Sequence, residues 1–238
     1  MSSQYQIIIK NMSGQNMSFY AFQKQATFTN SGVTPSIVSS CLASGPLAPN
    51  ASSGAQLDFS FDMQNYVGAK SNIASSTLAT FNASISLANA ANAVSEASAV
   101  QPIDLTTSTP GESVNNFSEL AVFPLGLSAA HYQQGLGAGS FGVQIPSYSP
   151  TPLPELYCGC AAINQDGSIT LSSFITPLPS SQVYCAPVAT YYVKVGSVPV
   201  GQVITYGTAQ AALCDFTRGY RTISVQYNSD GSFTTKGS

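Results

Sequence analysis

QVYCAPVATYYVKV (182–195), GQVITYG (201–207), AALCDF (211–216), YRTISVQY (220–227) and SFTT (232–235) follow one another with only short connections between them. Each run is rich in β-branched and aromatic residues, the types that suit a pleated, half-buried surface, and each is bounded by turn-forming residues. The C-terminal quarter therefore reads as consecutive strands. Cys185 and Cys214 fall inside them and are expected to be buried.

Upstream, the same material recurs with weaker punctuation. In 55–63, Leu57, Phe59 and Phe61 alternate with Asp58, Ser60 and Asp62, which predicts a strand with one dry and one wet face. Tyr5, Ile7 and Ile9 share a face of the 5–10 run. With the 17–23 run beyond the turn NMSGQ, this predicts an N-terminal hairpin. A turn is expected over 29–34 and a strand over 36–42. GPLAPNASSG (45–54) reads as a loop, because its prolines and glycines interrupt a ladder. Alternation returns in 76–87, and the alanine-dominated 88–100 fits either a short helix or an irregular edge. NQDG (164–167) predicts a type I′ hairpin turn feeding a return strand over 168–174. Turn signals at intervals of about 8 to 15 residues predict an all-β, antiparallel sandwich of about ten to fourteen strands. It is expected to form a single β-sandwich domain over 1–238, with Greek-key or meander connections.

Composition narrows the function. Charged residues make up only 7% of the 238, against roughly 25% in ordinary globular domains, so the surface must be covered by Ser, Thr, Asn, Gln and Gly. Seven basic residues and a net charge of -3 supply no dense positive footprint, which excludes nucleic acid as a partner. Low charge also leaves strand edges without the lysines that discourage edge-to-edge pairing. The first residues show no charged segment followed by an apolar run, so no signal peptide is visible and a cytoplasmic protein is expected. Five cysteines without framework spacing fit reduced thiols. The N-x-S triplets at Asn11, Asn16, Asn50, Asn82 and Asn116 are read as products of a Ser- and Asn-rich composition.

Candidate chemistry is sparse. Asp58 and Asp62, about 13 Å apart along one strand, are too distant to share a cation or divide acid and base roles unless other groups converge. His131, the one histidine, has no nucleophile motif or orienting acid beside it. GLGAGSFG lacks the spacing of a phosphate loop. Cys158 and Cys160 share a strand face and with Cys185 and His131 could hold zinc, but C-x-C on a strand reads better as packing. The remaining candidate is the tip of an expected hairpin, where Asp215, Arg218, Tyr220 and Arg221 gather a planar fork and a stacking ring suited to a sugar or carboxylate. The alternative there is an Arg–Asp pair closing the turn.

YQIIIKNMSGQNMSFYAF, GSFGVQI, ATYYVKVGSVPVGQVI and CDFTRGYRTISVQYNSDGSFT resemble segments of β-rich fungal proteins to which no activity is attached. The resemblance implies a compact β-domain without a signal peptide and carries no functional residue across.

The resulting expectation is a non-enzymatic interaction protein, without cofactor or metal, that self-associates into a homo-oligomer or ordered assembly. The alternative is a cytosolic defence lectin, or a membrane-active, pore-forming protein acting on a glycan or lipid surface. The segment 71–109 would then insert as a hairpin of strands.

Overall fold

The computed structural model describes residues 3–74, 94–109, 111–149, 155–164 and 166–238. They form nineteen strands, with one four-residue helix, α1 (Asn50–Ser53), and a short 3-10 turn over Phe216–Arg218. The first strands are β1 (Gln4–Asn11), β2 (Met17–Gln23), β3 (Thr27–Asn30), β4 (Val38–Ser40), β5 (Ala43–Leu47), β6 (Leu57–Asp62) and β7 (Tyr66–Ala74). Then come β8 (Val94–Pro102), β9 (Phe117–Val122), β10 (Leu125–Leu127), β11 (Phe141–Gln144), β12 (Glu155–Ile163) and β13 (Ile169–Ile175). The C-terminal quarter holds β14 (Gln182–Ala186), β15 (Thr190–Val195), β16 (Val203–Ile204), β17 (Ala212–Asp215), β18 (Thr222–Tyr227) and β19 (Phe233–Gly237). The count exceeds the expectation because several strands are only two to four residues long. Such pieces are too short to show an alternation.

Four mostly antiparallel sheets result, in the orders β19-β18-β1-β6, β17-β15-β2-β5, β10-β9-β11-β14-β3 and β16-β4-β13-β12-β7-β8. The exceptions are the parallel pairs β1/β18 and β9/β11. The all-β, sandwich-like class is thus as expected. The two four-stranded sheets contribute one apolar core, including Ile7, Phe19, Phe61, Tyr191 and Val225. The five- and six-stranded sheets contribute another, including Val67, Phe141, Leu156, Cys160 and Cys185. The chain passes between the two pairs of sheets six times: β2 to β3, β4 to β5, β6 to β7, β14 to β15, β15 to β16 and β16 to β17. Neither half is a continuous segment.

Several local expectations give way to this topology. β1 and β2 do not pair as a hairpin: β1 lies between β18 and β6, and β2 between β15 and β5. Each strand has a buried row, Ile7 and Ile9 on β1 and Phe19 and Ala21 on β2, and burying both rows in one core places the strands in different sheets. Asn11 fixes the crossover, donating to the Gln15 and Leu47 carbonyls at 2.7 and 3.1 Å while accepting from the Ser13 amide. Part of the expected 45–54 loop is β5, where Pro46 sits opposite Ser18 on an edge strand. A missing N–H costs no ladder bond when it faces away from the sheet. The alanine-rich run to residue 100 is neither helix nor irregular from 94 onward: β8 pairs with β7 across nine positions. Two long strands supply the partner that propensity alone does not show. The alternation over 76–87 lies outside the described residues.

The Asp-Gly turn is a hairpin, but not type I′. That geometry closes a two-residue loop, whereas here Asn164 bonds across to Ser168 and Gly167 has φ +81°. The Gly167 amide bonds the Asn164 carbonyl and the Asn164 amide bonds the Ser168 carbonyl, the pattern of a three-residue loop closed by a left-handed glycine. The same heptad pattern, N-x-D-G-S-x-T, occurs twice: NQDGSIT (164–170) between β12 and β13, and NSDGSFT (228–234) between β18 and β19. Its hydrogen bonds repeat as well. Asp166 and Asp230 each accept from the amide and hydroxyl of the serine two residues on, at 2.9 and 2.6 Å. Asn164 donates to Ser168 and Thr170, as Asn228 does to Ser232 and Thr234.

Candidate functional site

The expected hairpin tip at Asp215–Arg221 is not a hairpin. β17 pairs with β15 and β18 with β1 and β19, so Phe216–Arg218 carries the chain from one four-stranded sheet to the other. Buried Phe216 forces this course by entering the core beneath the turn. Asp215 caps the turn, accepting from the Thr217 hydroxyl at 2.6 Å, the Thr217 amide at 3.1 Å and the Arg218 Nε at 3.2 Å. The Thr217 hydroxyl, then its amide and Arg218, hold the Asp215 carboxyl below the usual range. The two arginines do not share a partner. Arg221 Nη1 lies 3.1 Å from Met63 Sδ, and Tyr220 packs so closely over Gly237 that a Cβ there would sit 2.4 Å from its ring. Arg218 remains 68% exposed, so its guanidinium is presented openly to solvent.

Three carboxylates line one groove elsewhere. A groove of about 770 Å³ runs along β6 and the β12–β13 turn, lined by Asp58, Asp62 and Asp166 together with Lys70, Asn164 and Ser168. Asp166, from the repeated turn, adds a third carboxylate to the groove lining, which spacing along β6 does not reveal. Within the groove Asp62 accepts from Gln4 Nε2 at 3.4 Å, and Asp166 is held by Ser168. The Ser168 hydroxyl and amide lower the Asp166 pKa. Among the described residues, no three His, Cys, Asp or Glu side chains are grouped as metal ligands would be.

An uncharged polar surface lies at the open edge of the five-stranded sheet. Gln182 donates to Gln144 Oε1 at 3.1 Å and accepts from the Tyr184 hydroxyl at 2.5 Å. These side chains, with Thr29, Ser31 and Ser180, border a groove of about 650 Å³ beside β3. The sequence offers no motif for this surface, because its residues come from three segments and none is charged.

His131 is exposed, its backbone bridged to Phe117 and its ring edge-on to the Phe117 ring at 5.5 Å. The cysteines lie elsewhere: all five are buried and free, and Cys158, Cys160 and Cys185 belong to one core. Two of the N-x-S asparagines, Asn11 and Asn116, are fully buried and hold backbone in place. Asn116 donates to Thr106 and to the Gln133 carbonyl and accepts from the Gln133 amide. No helix among the described residues is long and apolar enough to cross a membrane.

These features define an all-β, sandwich-like protein with a weakly charged surface, two open grooves and an internal group of thiols. No protein-family model matches the chain, and neither a curated protein nor a solved structure matches it.

Proposed function

We propose that this chain is a non-enzymatic interaction protein that associates with copies of itself through the β3 edge of its five-stranded sheet. The observation that carries the reading is the selective distribution of edge protection. β5 has Pro46, β6 has Asp58 and Asp62, and β19 has Lys236, all on edge strands. Such residues discourage pairing with another chain. β3, Thr27–Asn30, is the longest edge strand without a charge or a proline, the other two edges that lack both being the shorter β10 and β16. Antiparallel pairing of two β3 strands would join two sheets about a two-fold axis, with the same patch used on both copies. The neutral groove alongside adds hydroxyls and amides without charge repulsion.

Sedimentation velocity over a range of concentrations tests this directly. A concentration-dependent dimer or larger species is expected, and Thr29→Lys should weaken it by about tenfold or more through like charges meeting across the axis. A monomer at every concentration overturns the proposal.

A second reading is favoured by the same groove. Tyr184 with Gln144, Gln182 and Ser180 offers a ring and neutral hydrogen-bonding groups suited to a glycan. Binding on a glycan array that Tyr184→Ala abolishes would favour a lectin. Silence on the array removes that reading. The membrane-active alternative depends on 71–109, of which 75–93 lies outside the described residues, and liposome leakage tests it.

A further inference from the structure

Cys160 on β12 and Cys185 on β14 belong to different sheets, yet their sulfurs lie 3.1 Å apart inside the core. A disulfide has its sulfurs about 2.0 Å apart, so closure needs movement of about 1 Å. Cys158 is a poorer partner for Cys160. The two sit on one strand face, with backbones about 6.6 Å apart along it. A β-bulge at Cys160/Ala161 interrupts the β12–β13 register, and bulges re-aim the side chains beside them.

Cys160 also has a route to solvent. It lines a cavity of about 40 Å³ between the two cores, with Phe61, Phe141 and Tyr191 around it and Gln64 and Asn65 among the residues on its outer side. Space of this size admits water-sized molecules. Hydrogen peroxide falls in that range, and a tripeptide disulfide does not.

We propose that Cys160 and Cys185 form a peroxide-driven oxidation site that closes as a disulfide linking the five- and six-stranded sheets. The Cys160 sulfur attacks one peroxide oxygen. An S–O bond forms, the O–O bond breaks, and the departing hydroxide takes the thiol proton as water. Cys185 then attacks the Cys160 sulfur, forming the S–S bond and expelling the sulfenic oxygen, which leaves as water with the Cys185 proton. Two thiols are oxidised by two electrons and one peroxide is reduced to two waters. The cross-link spans 25 residues in sequence and ties together sheets otherwise joined by packing.

The native full-length chain, treated with hydrogen peroxide, denatured and alkylated, tests this by peptide mapping. Loss of two of the five free thiols is expected, with Cys160 and Cys185 peptides linked and Cys41 and Cys214 still alkylated. The disulfide should raise Tm by on the order of 10 °C, and dithiothreitol should reverse the rise. Cys158→Ala should keep the link. Cys185→Ala should instead leave a sulfenic acid at Cys160 that a dimedone-type probe captures. Five alkylated thiols after peroxide treatment, or a link through Cys158, overturns the proposal, and neither result depends on a variant that folds. Equally fast closure by glutathione disulfide would overturn entry through the cavity.

Discussion

The two cores are filled by different chemistry. Between the four-stranded sheets, rings pack on one another: Phe61 stacks on Tyr191 at 4.4 Å and 6°, Tyr5 lies over Phe216 at 4.5 Å, and Phe19 meets Tyr227 and Phe233 edge-on. Between the five- and six-stranded sheets, Phe28 and Phe141 are the only rings among the described buried members of the core, and the rest of these are aliphatic residues and three cysteines. Ring pairs fill volume and fix orientation at once. Small side chains and thiols let backbone and sulfur approach closely, which makes the second core sensitive to added atoms and open to sulfur chemistry. β12 couples the two, since Cys160 belongs to one core and Ala162 packs against the other.

The largest effect is expected in the aromatic core. Phe19→Ala should cost about 3 to 5 kcal/mol of unfolding free energy in a denaturant titration, because Phe19 is fully buried and its neighbours cannot fill the space. Interlaced strands should make ring fluorescence and thiol exposure report the same transition. Two separate transitions would break the coupling between the cores.

The six-stranded sheet should respond to an addition on its other face, because position 159 points away from the core that holds Cys158 and Cys160. An alanine Cβ at position 159 would sit 2.2 Å from the Ser173 carbonyl and 2.6 Å from the Phe174 Cα. Both are backbone atoms that can move only with β13, so Gly159→Ala should cost on the order of 3 kcal/mol. Gly126→Ala, with nothing within 4 Å of its Cβ, should be close to neutral by comparison.

Alkaline pH probes the thiols. Burial pushes Cys158 from 9.0 up to about 12, with Cys160 adding to it, and likewise pushes Cys214 to about 12. Between those values the unfolded thiols lose protons while the folded ones keep them. Stability present below pH 9 should therefore fall as pH rises toward 12, at about 1.4 kcal/mol per pH unit for each such thiol. Cys158→Ala should make the slope shallower by one proton's worth. An unchanged slope in pH-dependent denaturant titrations would show that Cys158 does not stay protonated over this range.

The smallest effect is expected at the exposed turn. Asp215→Ala should cost about 1 kcal/mol through the lost cap, whereas Arg218→Ala should change stability by less than about 0.5 kcal/mol, as exposed ion pairs do. The depressed Asp215 pKa contributes stability above the ordinary carboxylate range and loses it as pH falls. A large loss of stability in Arg218→Ala would make the pair a structural element of the aromatic half.

Much of this was legible in the chain. Alternation located the dry face of β6 and the buried row of β1, and turn residues marked most connections in the C-terminal quarter. β3 escaped notice because four residues give too short an alternation, and β5 because Pro46 reads as a breaker unless the strand is known to lie on an edge. The repeated N-x-D-G-S-x-T was visible as a pattern, but its worth lies in side chains that bond alike at both turns. Asp166 lines the same groove as Asp58 and Asp62 only because the β12–β13 turn lies beside β6.

By itself the sequence determined that the chain would be strands, which face of many of them would be dry, and that the surface would be weakly charged. Two-residue periodicity and turn chemistry are local properties, readable over a few residues. The tertiary structure alone decided which strands pair, how they divide between two cores, and that Cys160 meets Cys185. Every strand edge offers the same N–H and C=O groups. Partner choice therefore depends on burying all the dry faces together, a condition on the whole chain.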